Sequence, residues 1–413
     1  MHLGDDAEVL VVGGGVAGGA LATTLARAGL GVMIIEKSLE HIDRVRGEWL
    51  APWGVAEAER LGLYNQLLKS GGHHLDRHIA YGEEIAPEAA ATEAMDLRAF
   101  APSLKPPLCM RHPVMCDLLN QEAMRAGAVL LRGVTDLKLQ TGARPEVSYR
   151  HLGTVHSIKP RIVIGADGRN STVRNQAGIE LHRDPNHHLM TGMLVDNTDG
   201  WPEGLETIGT ENDIHFLVFP QSASRARLYI CYRSDQKLRF AGDGGPRRFL
   251  DAFQLTSVPG SEYLASGAPA GPCNSYGNED TWTDAPLAPG VVLIGDCAGH
   301  NDPILGQGLS IAYRDVRMVR DLMLDNRQWT AAIFQSYVEE RRERMRRLRF
   351  AASLLSVISA EFGPEARARR LRIREKSRKD PMAASALAAA FMGPEALPPE
   401  AFTEQYRKSL LQG

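Results

Sequence analysis

The sequence predicts an α/β chain. A domain on a parallel sheet is interrupted by a second domain on a mixed or antiparallel sheet, and a helical tail follows. Three observations predict this. An apolar run over residues 8–12 enters a glycine-rich turn, a helix and a second apolar strand ending in Glu36. Two later apolar strands, near residues 161–165 and 291–294, also end in acid–glycine turns. Between residues 182 and 284 the texture changes to alternating apolar stretches separated by Asn, Gly, Asp and Pro.

The first forty residues organise the rest. The turn reads Gly13-x-Gly15-x-x-Gly18. Gly13 permits the tight strand-to-helix turn, Gly15 lets a pyrophosphate approach the backbone, and Gly18 lets helix and strand pack closely. Ala20, Leu21, Thr24, Leu25 and Ala28 follow at helical spacing. Glu36 lies about twenty residues on, where an acceptor for a ribose hydroxyl belongs. Free amides and the positive end of the helix face the phosphates. An ordinary βαβ unit leaves Glu36 unexplained, so the reading is a Rossmann-like dinucleotide site.

Composition narrows the class. The 413 residues suffice for two or three domains, and the formal net charge of -3 gives no reason to expect a nucleic-acid partner. No apolar run reaches membrane-spanning length, so no integral membrane segment is expected. Residues 1–6 have neither a basic start nor an apolar stretch, which points to the cytoplasm. Cys109, Cys116, Cys231, Cys273 and Cys297 are scattered without zinc or CxxC spacing, and read as free thiols with no metal site.

Further along, Arg44 and Arg46 flank one residue and point the same way if extended. Local sequence leaves open whether they meet a pyrophosphate or solvent. Residues 53–68 read as a helix, and residues 73–94 as a polar excursion with short strands. Arg111 precedes a helix over 114–125, and short strands to residue 159 suggest a three-stranded meander. In the inserted region strands are expected at 189–195, 213–219 and 225–232, with a helix at 245–255. Helices are expected at 308–324 and, built of small residues, at 383–390. The six arginines of residues 341–349 lie among i,i+4 acid–base pairs, so a solvated helix face is expected there. The division predicted is residues 1–75, 100–181 and 283–345 for the discontinuous nucleotide domain. Residues 76–99 and 182–282 form the substrate domain, and 346–413 the helical tail.

Gly13-x-Gly15-x-x-Gly18, Asp167-Gly168 and Gly295-Asp296 occur in an order and spacing that resemble the class A flavoprotein monooxygenases, typified by para-hydroxybenzoate hydroxylase. The resemblance covers about the first 330 residues. It implies a GR2-type FAD-binding domain, with NADH or NADPH as transient reductant. Gly13, Gly15, Val16, Ala17 and Gly18 are then cofactor-binding, with Glu36 and Lys37 at the adenosine end. Arg44 and Arg46 are similar to the family's arginine pair, which contacts the FAD pyrophosphate and the pyridine nucleotide. Arg111 is similar to the residue near the flavin ribityl or phosphate, and Asp167 to that of its DG motif. Asp296 resembles the ribityl-binding aspartate. Pro303, Gly306, Gln307, Gly308 and Leu309 resemble its Pro-x-x-Gly-x-Gly turn at the flavin ring. A helix starting there would stabilise anionic reduced flavin.

The implied activity is hydroxylation or epoxidation of a small, aromatic or polycyclic organic substrate with dioxygen, through a flavin C4a-hydroperoxide. No catalytic side chain is named, because the chemistry needs no protein nucleophile. His300 departs from the family pattern by one position; it could touch substrate or be bonded to nearby backbone. Cys297 reads as a small buried thiol rather than a covalent flavin link. Two enzyme alternatives are a reductase of the geranylgeranyl-reductase type and a flavin halogenase, whose Trp-x-Trp-x-Ile-Pro segment Trp201-Pro202 does not reproduce. A third is a non-catalytic flavin-binding protein. Monomer and homodimer are both compatible.

Overall fold

Val9–Val12 is the centre of a six-stranded sheet in a computed structural model that describes residues 7–45 and 47–412. Its neighbours Val32–Glu36 and Ile162–Gly165 run parallel to it, and Val129–Arg132 and Val291–Leu293 extend the sheet outward, also parallel. Leu287–Ala288 closes one edge antiparallel. Side chains alternate across the sheet. Val9 and Val11 join a core with helices Val16–Arg27, His112–Arg125 and Gly308–Asp325. Leu10 and Val12 join a second core on the opposite face, under Val147, Tyr149 and Ile158. The latter belong to a three-stranded meander of Thr135–Gln140, Glu146–His151 and Thr154–Ile158. The short strand before it, Val129–Arg132, pairs with Val32–Glu36 and so belongs to the parallel sheet.

The inserted region builds an eight-stranded mixed sheet. His188–Asp196, Ile214–Ser222 and Arg225–Arg233 match the alternating stretches in the sequence. Leu205–Glu211 was not legible: its Thr, Gly and Glu residues disguise it, and it is recruited by pairing parallel to Arg77–Gly82. Phe216 and Val218 face a core with Phe249 and Phe253, while the intervening Leu217 faces the nucleotide domain. That alternation places the sheet between its own core and a second buried cluster shared with Val45, Ile304 and Ala360.

Three expected elements differ. Residues 53–68 form two helices, Pro52–Arg60 and Tyr64–Lys69, because Gly62 takes φ +67° between them. The 245–255 helix stops at Asp251. The small-residue helix is a 3₁₀ segment, Pro381–Ala388, followed by Ala389–Met392. The tail returns to the body: Phe391 meets Trp49 edge-on at 5.7 Å and Phe100 at 5.6 Å.

The basic helix is the largest correction. Arg342 and Arg346 in Gln335–Ser359 are exposed as expected, but Arg341 and Arg344 are 2% and 3% exposed, so their side of the helix is interior. Their partner is Asp315, far away in sequence and also fully buried. Among the described residues no helix is long and apolar enough to cross a membrane, and no group of His, Cys, Asp and Glu could hold a metal ion.

Candidate functional site

Loops leaving the carboxyl ends of the parallel strands converge, as ligand sites in such sheets require. Gly13 takes φ +106°, and a Cβ there would lie 2.9 Å from the Cα of Asp167, so the first turn leans directly on the second. Gly18 packs so closely on the Gly13 carbonyl that any side chain would overlap it. The Glu36 carboxylate accepts hydrogen bonds from the amides of Gly14 (2.6 Å) and Ser38 (2.7 Å), which pins the acid beside the glycine turn. Lys37 and Arg44 are exposed nearby. Arg46 lies outside the described residues.

The Gly295–Ala298 turn completes the convergence. A Cβ on Gly295 would lie 3.2 Å from that of Ala17 and 3.9 Å from that of Ala312, so it wedges between the starts of two helices. Arg169 Nε lies 3.3 Å from Asp296 Oδ2, and Cys297 Sγ lies 3.3 Å from Asp167 Oδ1. Asp167 and Asp296 are thus on one side of the molecule. Asp167 itself serves the chain: its carboxylate accepts from the Ser171 hydroxyl and from the amides of Thr172 and Val173, at 2.5, 2.6 and 3.1 Å. Cys297 is buried, its thiol is bonded to Ser171 Oγ at 2.8 Å, and burial pushes its pKa well above the usual thiol range. It is a packed thiol.

Pro303–Leu305 and Gly306 lead into the Gly308–Asp325 helix, with Val16 and Leu309 buried in the core under the two helix starts. The Gln307 side chain is turned inward, donating to the carbonyls of Leu305 (2.6 Å) and Ala390 (3.2 Å) and accepting from Trp53 Nε1 at 2.8 Å. Its side chain is therefore committed to the protein interior. Arg111 stands immediately before the 112–125 helix, which starts two residues earlier than expected, and makes no side-chain cap bond; its charge acts on Asp196 in the second sheet. That carboxyl is held below its usual range first by its hydrogen bond to Arg225, with Arg111 adding to it. His300 is held by Thr281: Nδ1 lies 2.8 Å from its hydroxyl, which also accepts from the His300 amide at 2.9 Å.

Gly15 and Gly308 have nothing within 4 Å of where a Cβ would stand. Both begin helices whose first-turn amides lack intrahelical partners. Open space beside two such ends, with Glu36 and Asp296 flanking them, fits a dinucleotide that carries a second ring system.

Sequence reasoning missed a buried charged cluster that ties the 43–48 segment to the second sheet. Arg227, 1% exposed, lies 2.7 Å from Glu48 and 2.5 Å from Asp43, and Tyr229 donates to Glu48 at 3.0 Å. Burial pushes the Glu48 pKa up to about 7 against the opposing pull of Arg227 and Tyr229. Between these anchors Val45 takes φ 55°, unusual for a β-branched residue. It packs with Met190, Leu217, Tyr229, Cys231 and Ile304, which joins the 303–306 turn to the second sheet. No motif marks these residues, since the pairs span more than 170 positions.

Asp280 and Asp302 form a buried acidic pair behind the turn. Asp280 accepts from the Asp302 amide at 2.8 Å and from the Asn301 side chain, yet burial raises its pKa to about 7. Asp302 is pushed in the same direction by burial. The folded state therefore holds protons that the unfolded chain has released, and stability contributed below pH 4 is lost as pH rises towards 7. The loss is a few kcal/mol, on the order of 1.4 kcal/mol per pH unit. Asp280→Asn keeps the acceptor and should flatten this slope in denaturation midpoints measured from pH 4 to 8. An unchanged slope would show that Asp280 ionises normally.

Comparisons with known proteins give the same picture. The family described as FAD binding domain matches residues 6–351. Squalene monooxygenase of Mus musculus is 25% identical over 356 residues, covering 80% of this chain and 57% of that protein. Digeranylgeranylglycerophospholipid reductase 1 of Methanococcoides burtonii is 25% identical over 316 residues, covering 75% and 72%. The chain therefore spans little more than half the length of the squalene monooxygenase. Among solved structures, p-nitrophenol 4-monooxygenase of Pseudomonas putida DLL-E4 superposes with a TM-score of 0.78 at 18% identity, covering 93% of this chain and 96% of that one.

Proposed function

The chain belongs to the FAD binding domain family, and from that premise we propose an FAD-dependent monooxygenase that uses NADH or NADPH and dioxygen to hydroxylate or epoxidise a small aromatic or polycyclic compound. The observation that carries it is the meeting of the Gly13–Gly18, Asp167–Arg169 and Gly295–Ala298 turns beside open space at Gly15 and Gly308. A pure dinucleotide dehydrogenase needs only the first of these turns.

Bound FAD supplies the electron transfer and the activation of dioxygen. The chain's own residues bind, orient and exclude water. Gly13, Gly15, Val16, Ala17 and Gly18 would cradle the pyrophosphate on helix amides, Glu36 would hold the ribose, and Lys37, Arg44 and Arg46 would flank the phosphates. Asp296 would take the ribityl hydroxyls, with Arg111 and the Asp167 turn beside them. The amino end of the Gly308–Asp325 helix, reached through Pro303, Gly306 and Gln307, offers amides and a positive dipole end to the negative charge of the reduced ring. Trp49, Phe219 and Tyr229 pack in series, with Met190 and Ile304 in the cluster beside Tyr229, and would give a planar apolar substrate an aromatic and aliphatic wall that excludes water.

The proposed division keeps residues 1–75, 100–181 and 283–345 for cofactor, 76–99 and 182–282 for substrate, and 346–413 as a helical region. Free cysteines, four of the five buried, support a reducing compartment, the cytoplasm. Monomer or homodimer is proposed for the assembly.

The test is oxidation of NADH and NADPH by the FAD-loaded protein against a panel of aromatic and polycyclic compounds. The expected result is faster oxidation with a matched compound, oxygen uptake, and a product heavier by one oxygen atom. The similarity to the archaeal reductase, along 72% of its length, supports a second reading, flavin-dependent reduction. Substrate reduced without oxygen uptake would establish that reading and remove the first.

A further inference from the structure

The Gly295–Ala298 turn and its flanks, from Leu293 to Gly299, have little secondary structure to satisfy their carbonyl groups, yet most of the segment is buried. Buried carbonyls need partners. Here arginine and tyrosine side chains supply them. Arg341 Nη1 donates to the Ala298 carbonyl at 2.9 Å, and Nη2 donates to those of Gly299 (3.0 Å) and Gly295 (3.2 Å). Arg174 Nη1 takes the Cys297 carbonyl at 3.0 Å, and the Tyr337 hydroxyl takes that of Leu293 at 2.9 Å.

Asp315 closes the arrangement. One oxygen accepts from the Gly295 amide (2.8 Å) and from Arg341 Nε (3.0 Å). The other accepts from Arg344 Nη2 at 2.7 Å, and Glu340 balances the remaining charge on Arg344 at 3.0 Å. Asp315 and Arg341 thus grip both the amide and the carbonyl of the residue before Asp296. Only a planar fork with five donors can reach three carbonyls and a carboxylate at once; a lysine ammonium cannot.

We infer that Arg341, braced by Asp315, is a positioning residue that sets the Asp296 turn for FAD, so that the 335–359 helix serves the cofactor site through the turn it holds. The inference rests on the FAD-binding reading of that turn. It also explains why Arg341 and Arg344 alone of the six arginines are fully buried.

The test titrates full-length apoprotein with FAD, following quenching of flavin fluorescence, and measures each apoprotein's thermal midpoint in parallel. Arg341→Met is expected to raise the FAD Kd by about tenfold or more, the scale on which loss of a ligand-orienting partner acts at metal sites. Arg341→Lys is expected to recover only part of the loss, and serves alone if the methionine variant does not fold. Arg370→Met is the control. It removes another buried arginine, whose partners are Glu83 at 3.0 Å and the Glu361 carbonyl at 3.1 Å rather than this turn. It should lower the midpoint yet leave Kd within about twofold, as expected for independent sites. Wild-type affinity in both Arg341 variants, or equal weakening in Arg370→Met, overturns the assignment. A wild-type apoprotein that takes up no FAD overturns the functional reading itself.

Discussion

Gly15→Ala is expected to leave the fold intact and to weaken FAD binding by about 100-fold, whereas Gly18→Ala should lose both binding and stability. The two glycines belong to one motif but meet different surroundings. At Gly15 the backbone is extended, φ -70° and ψ -171°, which alanine adopts without strain, and nothing stands within 4 Å of the new methyl. That methyl meets only whatever occupies the open space. At Gly18 a methyl overlaps the carbonyl oxygen of Gly13 and crowds Val11, so the helix must move off the strand. Overpacking of this kind costs about 1–3 kcal/mol and more where backbone must shift. Thermal midpoints and FAD titration of the two variants separate the effects. A Gly15→Ala protein with wild-type affinity would show that the phosphates do not lie over this turn.

Arg227→Met should destabilise the protein by about 3–5 kcal/mol, because it strands a buried carboxylate. Glu48 is 2% exposed and has Arg227 and Tyr229 as its anchors, and Asp43 depends on the same guanidinium. Without that charge Glu48 must take up a proton, and the 43–48 segment with Val45 loses its tie to the second sheet. Adding Glu48→Gln should restore most of the loss, since the amide oxygen still accepts from Tyr229 and position 48 no longer carries a buried charge. The recovery is a coupling between neighbours, measured by denaturant unfolding of the two single variants and the double. Additive losses would mean that the arginine acts through packing, not charge. Stabilisation by Glu48 is also pH-dependent. Its folded pKa, near 7, lies above that of the unfolded chain, so its contribution falls as pH rises from about 4.5 to 7.

Much of the nucleotide domain was legible because its signals are local. Strand, glycine turn, helix and acid lie within residues 8–36, and each follows from spacing along one short segment. The later strands ending at Gly165 and Leu293 were legible for the same reason: both faces are covered, so they read as unbroken apolar runs. The second sheet was legible where apolar and polar residues alternate, and hidden at Leu205–Glu211, where pairing with Arg77–Gly82 decides the strand. The roles of Asp167 and Gln307 were harder to read. A motif gives a residue's position, but the Asp167 carboxylate turns to cap its own helix and the Gln307 amide turns to Trp53.

By itself the sequence determined the fold class, the order of the strand-end turns and the match to an FAD-binding family, because these depend on patterns repeated every two or three to four residues and on glycines at fixed offsets. Only the tertiary structure decided which charges are buried. Glu340 and Arg344 have the spacing of a solvated helix pair, and the chain nevertheless folds Arg344 and Arg341 onto Asp315. The physical reason is that i,i+4 spacing fixes which side chains are neighbours on a helix, whereas burial depends on what that face meets after the chain has closed. Here it meets a turn whose carbonyl groups have few other donors, and the same holds for Arg227 between Asp43 and Glu48.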